Sequence, residues 1–112
     1  MTNSNEILEA IYQIILDRKN NPTDNSYTAS LMRGGIDKIL KKIGEEATEV
    51  VIAGKGGVSS EIVYEAADLI FHLLVLLGHQ NIPITAVYDE LCRRLGISGL
   101  EEKASRHESV CP

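Results

Sequence analysis

Two clusters of carboxylates sit where a helical pattern gives them little reason to be. The first is the run Gly44–Glu45–Glu46–Ala47–Thr48–Glu49. On a helix, Glu46 and Glu49 are one turn apart and Glu45 and Glu49 are four residues apart, so all three project from adjoining parts of one flank. At about 100° per residue, Glu46 borders the apolar stripe and Glu45 lies almost opposite its centre. Like charges at this spacing cost a few tenths of a kcal/mol in an isolated helix. The second cluster is Glu65 and Asp68, again one turn apart. Together with Glu61 and His72 they form a single polar stripe on an otherwise apolar helix. A buried carboxylate is expensive unless it is paired or coordinates a metal. Packing one helix on the other would set Glu46 and Glu49 opposite Glu65 and Asp68. Four carboxylates without sulfur make a hard-oxygen environment, suited to Mg2+ or Mn2+ rather than zinc. The plainer alternative is a solvated acidic face. Glu65 and Asp68 weigh against it, because they interrupt core sequence. His72 reads better as a hydrogen-bonded packing residue than as a ligand.

Basic residues lie just upstream. Arg33, Lys38, Lys41 and Lys42 face only Asp37 over 33–42. Lys38 and Lys42 share the flank of Glu45 and Glu49, where they can pair within the helix or contact phosphate groups. Lys103 and Arg106 form a second candidate phosphate patch. Gly34–Gly35 lacks a phosphate-loop pattern and reads as a turn between helices.

The elements that must position these groups are helical. Ile7, Leu8, Ile11, Ile14 and Ile15 recur at three- and four-residue steps, which predicts a first helix over 4–18. Asn3 and Glu6 resemble a capping box at its start. After loop chemistry at 20–25, a short second helix over 26–32 is expected to end at Gly34. Ile36, Ile39, Leu40, Ile43, Ala47, Val50 and Val51 make the stripe of a third helix, ended by Gly54, Gly56 and Gly57. Ser59 or Ser60 is the expected cap of a fourth, reaching about residue 77. It is apolar around most of its circumference, so it should be central and buried. Pro83 suits the first turn of a fifth helix, which Gly96 closes. Ser98 with Glu101 suggests a short terminal helix, and a frayed tail is expected over 106–112. The fold class is therefore all-α, a bundle of about five helices.

Composition bounds the function. A chain of 112 residues, 44% hydrophobic and 24% charged, is expected to form a single globular domain, 1–112. Its net charge of −5 argues against nucleic acid as a partner. The longest apolar run, over 69–78, is short of a membrane span, and no signal-peptide pattern opens the sequence. Two cysteines, Cys92 and Cys111, form neither a disulfide framework nor a zinc site and are expected to be free thiols in a reducing cytoplasm.

The pattern Glu45–Glu46–Ala47–Thr48–Glu49, followed by Glu65–Ala66–Ala67–Asp68, resembles the EExxE…ExxD signature of the all-α, MazG-like nucleoside triphosphate pyrophosphohydrolases. Three longer stretches resemble the phosphoribosyl-ATP pyrophosphatase branch in particular. They are Ser26–Tyr27–Thr28–Ala29–Ser30–Leu31, the run over 35–46, and Ser98–Gly99–Leu100–Glu101–Glu102–Lys103–Ala104–Ser105–Arg106. The resemblance spans about 7–106 in consistent order.

That resemblance implies a homodimer in the cytoplasm with Mg2+, or Mn2+ in its place, held by Glu46, Glu49, Glu65 and Asp68. It implies hydrolysis of phosphoribosyl-ATP, with Glu45 or Glu49 activating water and Lys38, Lys42, Lys103 and Arg106 contacting phosphates. Neither a membrane nor a nucleic-acid partner is implied. Two other readings share these features. A MazG-like enzyme that clears non-standard nucleoside triphosphates would accept free nucleotides. A helical dimerisation module with an acidic surface would be indifferent to Mg2+.

Overall fold

The computed structural model describes residues 4–95. A 3₁₀ turn at Ser4–Glu6 leads into α1 (Ile7–Asn20), followed by α2 (Tyr27–Gly34), α3 (Ile36–Gly56), α4 (Ser59–His79) and α5 (Ile84–Arg94). No strand occurs among the described residues, so the all-α expectation of about five helices holds. The expected terminal helix from Ser98, and the closing role of Gly96, lie outside the described residues.

The helix ends follow local chemistry, in places differently from expectation. Ser26 caps α2 by accepting the Ala29 N–H at 3.0 Å. Gly35 serves two helices at once. Its N–H reaches the carbonyls of Leu31 and Met32, and its own carbonyl accepts the Ile39 N–H that opens α3. The backbone there has φ +83°, a conformation that glycine adopts without a Cβ penalty. Gly54 and Gly56 do not end α3; Gly57, at φ +78°, does. Glycine costs an interior helical turn only about 1 kcal/mol, which the packed stripe on either side outweighs. The cap of α4 is Val58 rather than Ser59 or Ser60, so the turn between α3 and α4 is only two residues long. Such a short link makes the two helices antiparallel neighbours. At the start of α1, Glu6 occupies the cap position and makes no side-chain capping bond, while Asn3, the other member of the expected capping box, lies outside the described residues.

Two compact units divide the chain between Asn81 and Ile82. In the first, α3 and α4 form the main pair, α1 packs on α4, and α2 packs on α1 and α3. Ile15, Leu31, Ile39 and Val75 are fully buried at its centre. Gly78 permits the close approach of α1, since a Cβ there would lie 2.9 Å from Ile15 Cγ2. Lys19, near the end of α1, closes α4. Its Nζ donates to the carbonyls of Gly78 (2.8 Å) and His79 (3.2 Å) and to Asn81 Oδ1 (2.8 Å). In the second unit, Glu90 of α5 accepts from both Arg93 and Arg94, which holds its carboxyl down at about 2. Cys92 is disulfide-bonded, against the expected free thiol. Two cysteines in a sequence count too few bonds to suggest a framework, and spacing alone does not reveal one pair.

The fourth helix is not central throughout. Its C-terminal half buries His72, Leu74, Val75 and Gly78, but Val63, Tyr64 and Ile70 are exposed. On α3, Val51 and Ile52 are exposed as well. By length and composition α4 is also apolar enough to cross a membrane. Counting consecutive apolar residues missed this, because Glu65, Asp68 and His72 interrupt the run.

Candidate metal centre

The pairing of α3 with α4 brings together carboxylates that the sequence separates by about twenty residues. Glu46 projects from the α3 stripe and is only 8% exposed. Facing it from α4 are Asp68 and His72, and one ligand atom from each of the three lies within 4.8 Å of the others. Glu65, one turn before Asp68, is half-buried. Burial raises its carboxyl above the ordinary 4.5, and the charges of Glu49, Glu46, Asp68 and Glu61 push it further. Glu49 itself is exposed. The four residues Glu46, Glu49, Glu65 and Asp68 thus occupy one neighbourhood, with Glu46 and Asp68 at its packed centre.

Among the described residues, one cation is paired with this charge. Lys42 Nζ lies 3.4 Å from both Glu45 and Glu46, so it adopts the intrahelical pairing. Its partial desolvation opposes the charged form, but the bonds to Glu46 and Glu45 outweigh that and hold its ammonium above the ordinary value. Glu45 is half-exposed and faces Lys42. Lys38 is exposed, with its aliphatic chain lying over Gly34. Lys103 and Arg106 lie outside the described residues.

His72 is 2% exposed and both of its ring nitrogens are engaged. Nδ1 lies 2.8 Å from the Asp68 carbonyl oxygen, and Nε2 lies 2.8 Å from the Tyr27 hydroxyl. A carbonyl oxygen can only accept, so Nδ1 carries the proton and Nε2 accepts the one from Tyr27. This is the hydrogen-bonded packing role expected of His72. Tyr27 was not among the expected site residues. Its ring stacks on Phe71 at 6.5 Å and meets His72 edge-on at 5.7 Å. Partial burial raises its phenol. Lys42 opposes that shift, while Asp68, Glu46 and Glu45 add to it. The signal that could have found it is weak: Tyr27 and His72 are 45 residues apart, on different helices.

The donor chemistry fits a hard divalent cation. A nearly buried carboxylate beside three others, with one lysine shared between two glutamates, is costly without further positive charge. Oxygen ligands from two rigid helices supply what Mg2+ or Mn2+ requires.

Comparison with known proteins bears on the family of the chain. The family described as Phosphoribosyl-ATP pyrophosphohydrolase matches residues 8–95 of the chain. The phosphoribosyl-ATP pyrophosphatase of Pelobacter propionicus is 66% identical over 95% of this chain and 98% of its own length. That of Geobacter sulfurreducens is 64% identical over 96% of this chain and 100% of its own. A histidine biosynthesis bifunctional protein of Caldanaerobacter subterraneus is 58% identical over 80% of this chain, which corresponds to 43% of that longer protein.

Proposed function

The chain belongs to the phosphoribosyl-ATP pyrophosphohydrolase family, and we infer that it hydrolyses the α–β phosphoanhydride of phosphoribosyl-ATP, giving phosphoribosyl-AMP and pyrophosphate, in histidine biosynthesis. The observation that carries this reading is the apposition of Glu46 and Asp68 across two packed helices, inside a group of four carboxylates. Glu46, Glu49, Glu65 and Asp68 would hold Mg2+, or Mn2+ in its place. Bound there, the ion would supply charge neutralisation for the triphosphate oxygens as the anhydride breaks.

The chain's own groups do the rest. Glu49 is exposed beside Glu65, and Glu45 stands half-exposed at the rim. Either carboxylate can take a proton from water and orient it toward phosphorus. Lys42 is poised between Glu45 and Glu46, where it can also contact a phosphate. Together with Lys38 it stabilises the departing pyrophosphate. Replacing Glu49 with Gln removes a ligand and a base while keeping helix and size, so turnover should nearly vanish from a folded protein.

The exposed apolar side chains of α3 and α4 support assembly as a homodimer. Val51 and Tyr64 are each 70% exposed, and Ile52 and Val63 lie among them. We read the chain as one enzyme domain, since the family match runs from 8 to 95, through both compact units. The deciding test is pyrophosphate release with Mg2+ from phosphoribosyl-ATP, beside ATP, dCTP and dUTP. Release from phosphoribosyl-ATP alone supports the reading. Release mainly from a free nucleotide moves the protein to the MazG-like enzymes.

A further inference from the structure

The three side chains whose donor atoms converge most closely are two carboxylates and an imidazole, Glu46, Asp68 and His72. That set does not suit Mg2+ best. Imidazole nitrogen favours zinc and later transition metals, while Mg2+ takes oxygen. In this chain the imidazole is occupied. Nδ1 donates to the Asp68 carbonyl oxygen, and Nε2 accepts from the Tyr27 hydroxyl, both at 2.8 Å. The ring is 2% exposed, so no solvent competes for either nitrogen. Tyr27 is differently placed. It is 49% exposed, and its ring is held against Phe71 and His72.

We propose that Tyr27 is a metal-selectivity residue: its hydroxyl holds His72 Nε2 as an acceptor and so keeps the ring proton on Nδ1, the nitrogen 3.5 Å from Asp68 Oδ1, leaving a site of oxygen donors. This rests on the reading of the carboxylate cluster as a metal site. Without the phenol proton on Nε2, only the Asp68 carbonyl oxygen keeps the ring proton on Nδ1; once that proton moves to Nε2, Nδ1 can offer its lone pair to a nitrogen-seeking cation. Lys42 and three carboxylates, Asp68, Glu46 and Glu45, act on the phenol, so charges of both signs reach it with the carboxylates in the majority. Substituting Phe retains the ring against Phe71 and removes only the hydroxyl.

The test is calorimetric titration of the full chain with Zn2+ and with Mn2+, for the wild type, Tyr27→Phe, His72→Gln and the double variant. Groups behind metal ligands move affinity by roughly 10–100-fold, so Tyr27→Phe should raise the zinc-to-manganese affinity ratio about tenfold or more. Adding His72→Gln should return the ratio to the wild-type value. His72→Gln alone should leave it there. Electron spin-echo spectra of the Mn2+-loaded wild type should lack nitrogen coupling from an imidazole, a readout that needs no variant to fold. An unchanged ratio in Tyr27→Phe, a loss of zinc affinity in His72→Gln alone, or imidazole coupling in the wild type each overturns the proposal and leaves the metal site standing. Failure of the wild type to bind Mn2+ at all overturns the metal site and this proposal with it.

Discussion

Neutralising Asp68 should make the metal-free protein more stable and the metal-loaded protein less so. Asp68 and Glu46 present carboxylate oxygens within 4.8 Å of each other. Two unit charges at that distance repel by about 3.5 kcal/mol at an effective dielectric of 20, and by about 0.9 kcal/mol in water. The Asp68 side chain keeps 34% of its exposure, which places the relief near the lower figure. Asp68→Asn keeps the shape, and the bond from His72 Nδ1 to residue 68 runs to the backbone carbonyl, so it survives. The expected gain in EDTA is about 1 kcal/mol, or a rise of roughly 4–8 °C in Tm for a domain of this size. In Mg2+ the order reverses. An ion at about 100 times its Kd adds roughly 2.7 kcal/mol to the wild type, and the variant should forfeit most of it. Thermal melts of both proteins, in EDTA and in saturating Mg2+, measure all four quantities. A variant that melts below wild type in EDTA would show that Asp68 makes a net favourable contact without metal. A variant whose Tm still rises with Mg2+ as far as the wild type's would remove Asp68 from the ligand set.

Gly78→Ala should destabilise by about 1 kcal/mol: overpacking costs roughly 1–3 kcal/mol, while alanine returns about 1 kcal/mol of helix propensity. The new Cβ would sit 2.9 Å from Cγ2 of fully buried Ile15, and an unmoved or raised urea midpoint would contradict this. Glu65 is raised above its unfolded 4.5, so its contribution favours the fold below that pH and is lost as pH rises through the raised value. Metal-free melts should therefore show a stability loss across that window that Glu65→Gln lacks. For the same reason Mg2+ affinity should begin to fall at a higher pH in the wild type than for a site of ordinary glutamates. Lys19→Met should cost about 1–2 kcal/mol, because the α4 carbonyls lose a charged donor at the negative end of the helix. A chemical denaturation midpoint equal to wild type would refute it.

The site was legible where its residues contradict the pattern around them. Glu65 and Asp68 break an apolar helix, and the structure sets Glu46 against Asp68 as the helical period requires. The ends of the helices were less legible. Gly54 and Gly56 looked like stops but lie inside α3, because glycine weakens a helix without forbidding it. Ser59 and Ser60 looked like caps, yet Val58 takes that place. The αL turn at Gly57 had already fixed where α4 begins. Tyr27 was invisible, because its meaning depends on a bond to His72 across two helices, which no local period encodes. The expected burial of α4 shows the limit of periodicity. Apolar residues all round a helix say that each face is to be covered, but not whether the covering comes from the same chain. Val63, Tyr64, Val51 and Ile52 stay open in one chain, on the same two helices that carry the carboxylates. The α3–α4 pair therefore carries two local costs at once, gathered negative charge on one side and uncovered apolar surface on another. Such conflicts between local rules persist in natural sequences where function compensates them. On the proposed function a cation would answer the first and a second subunit the second, so metal binding and assembly should act on the stability of the same helix pair.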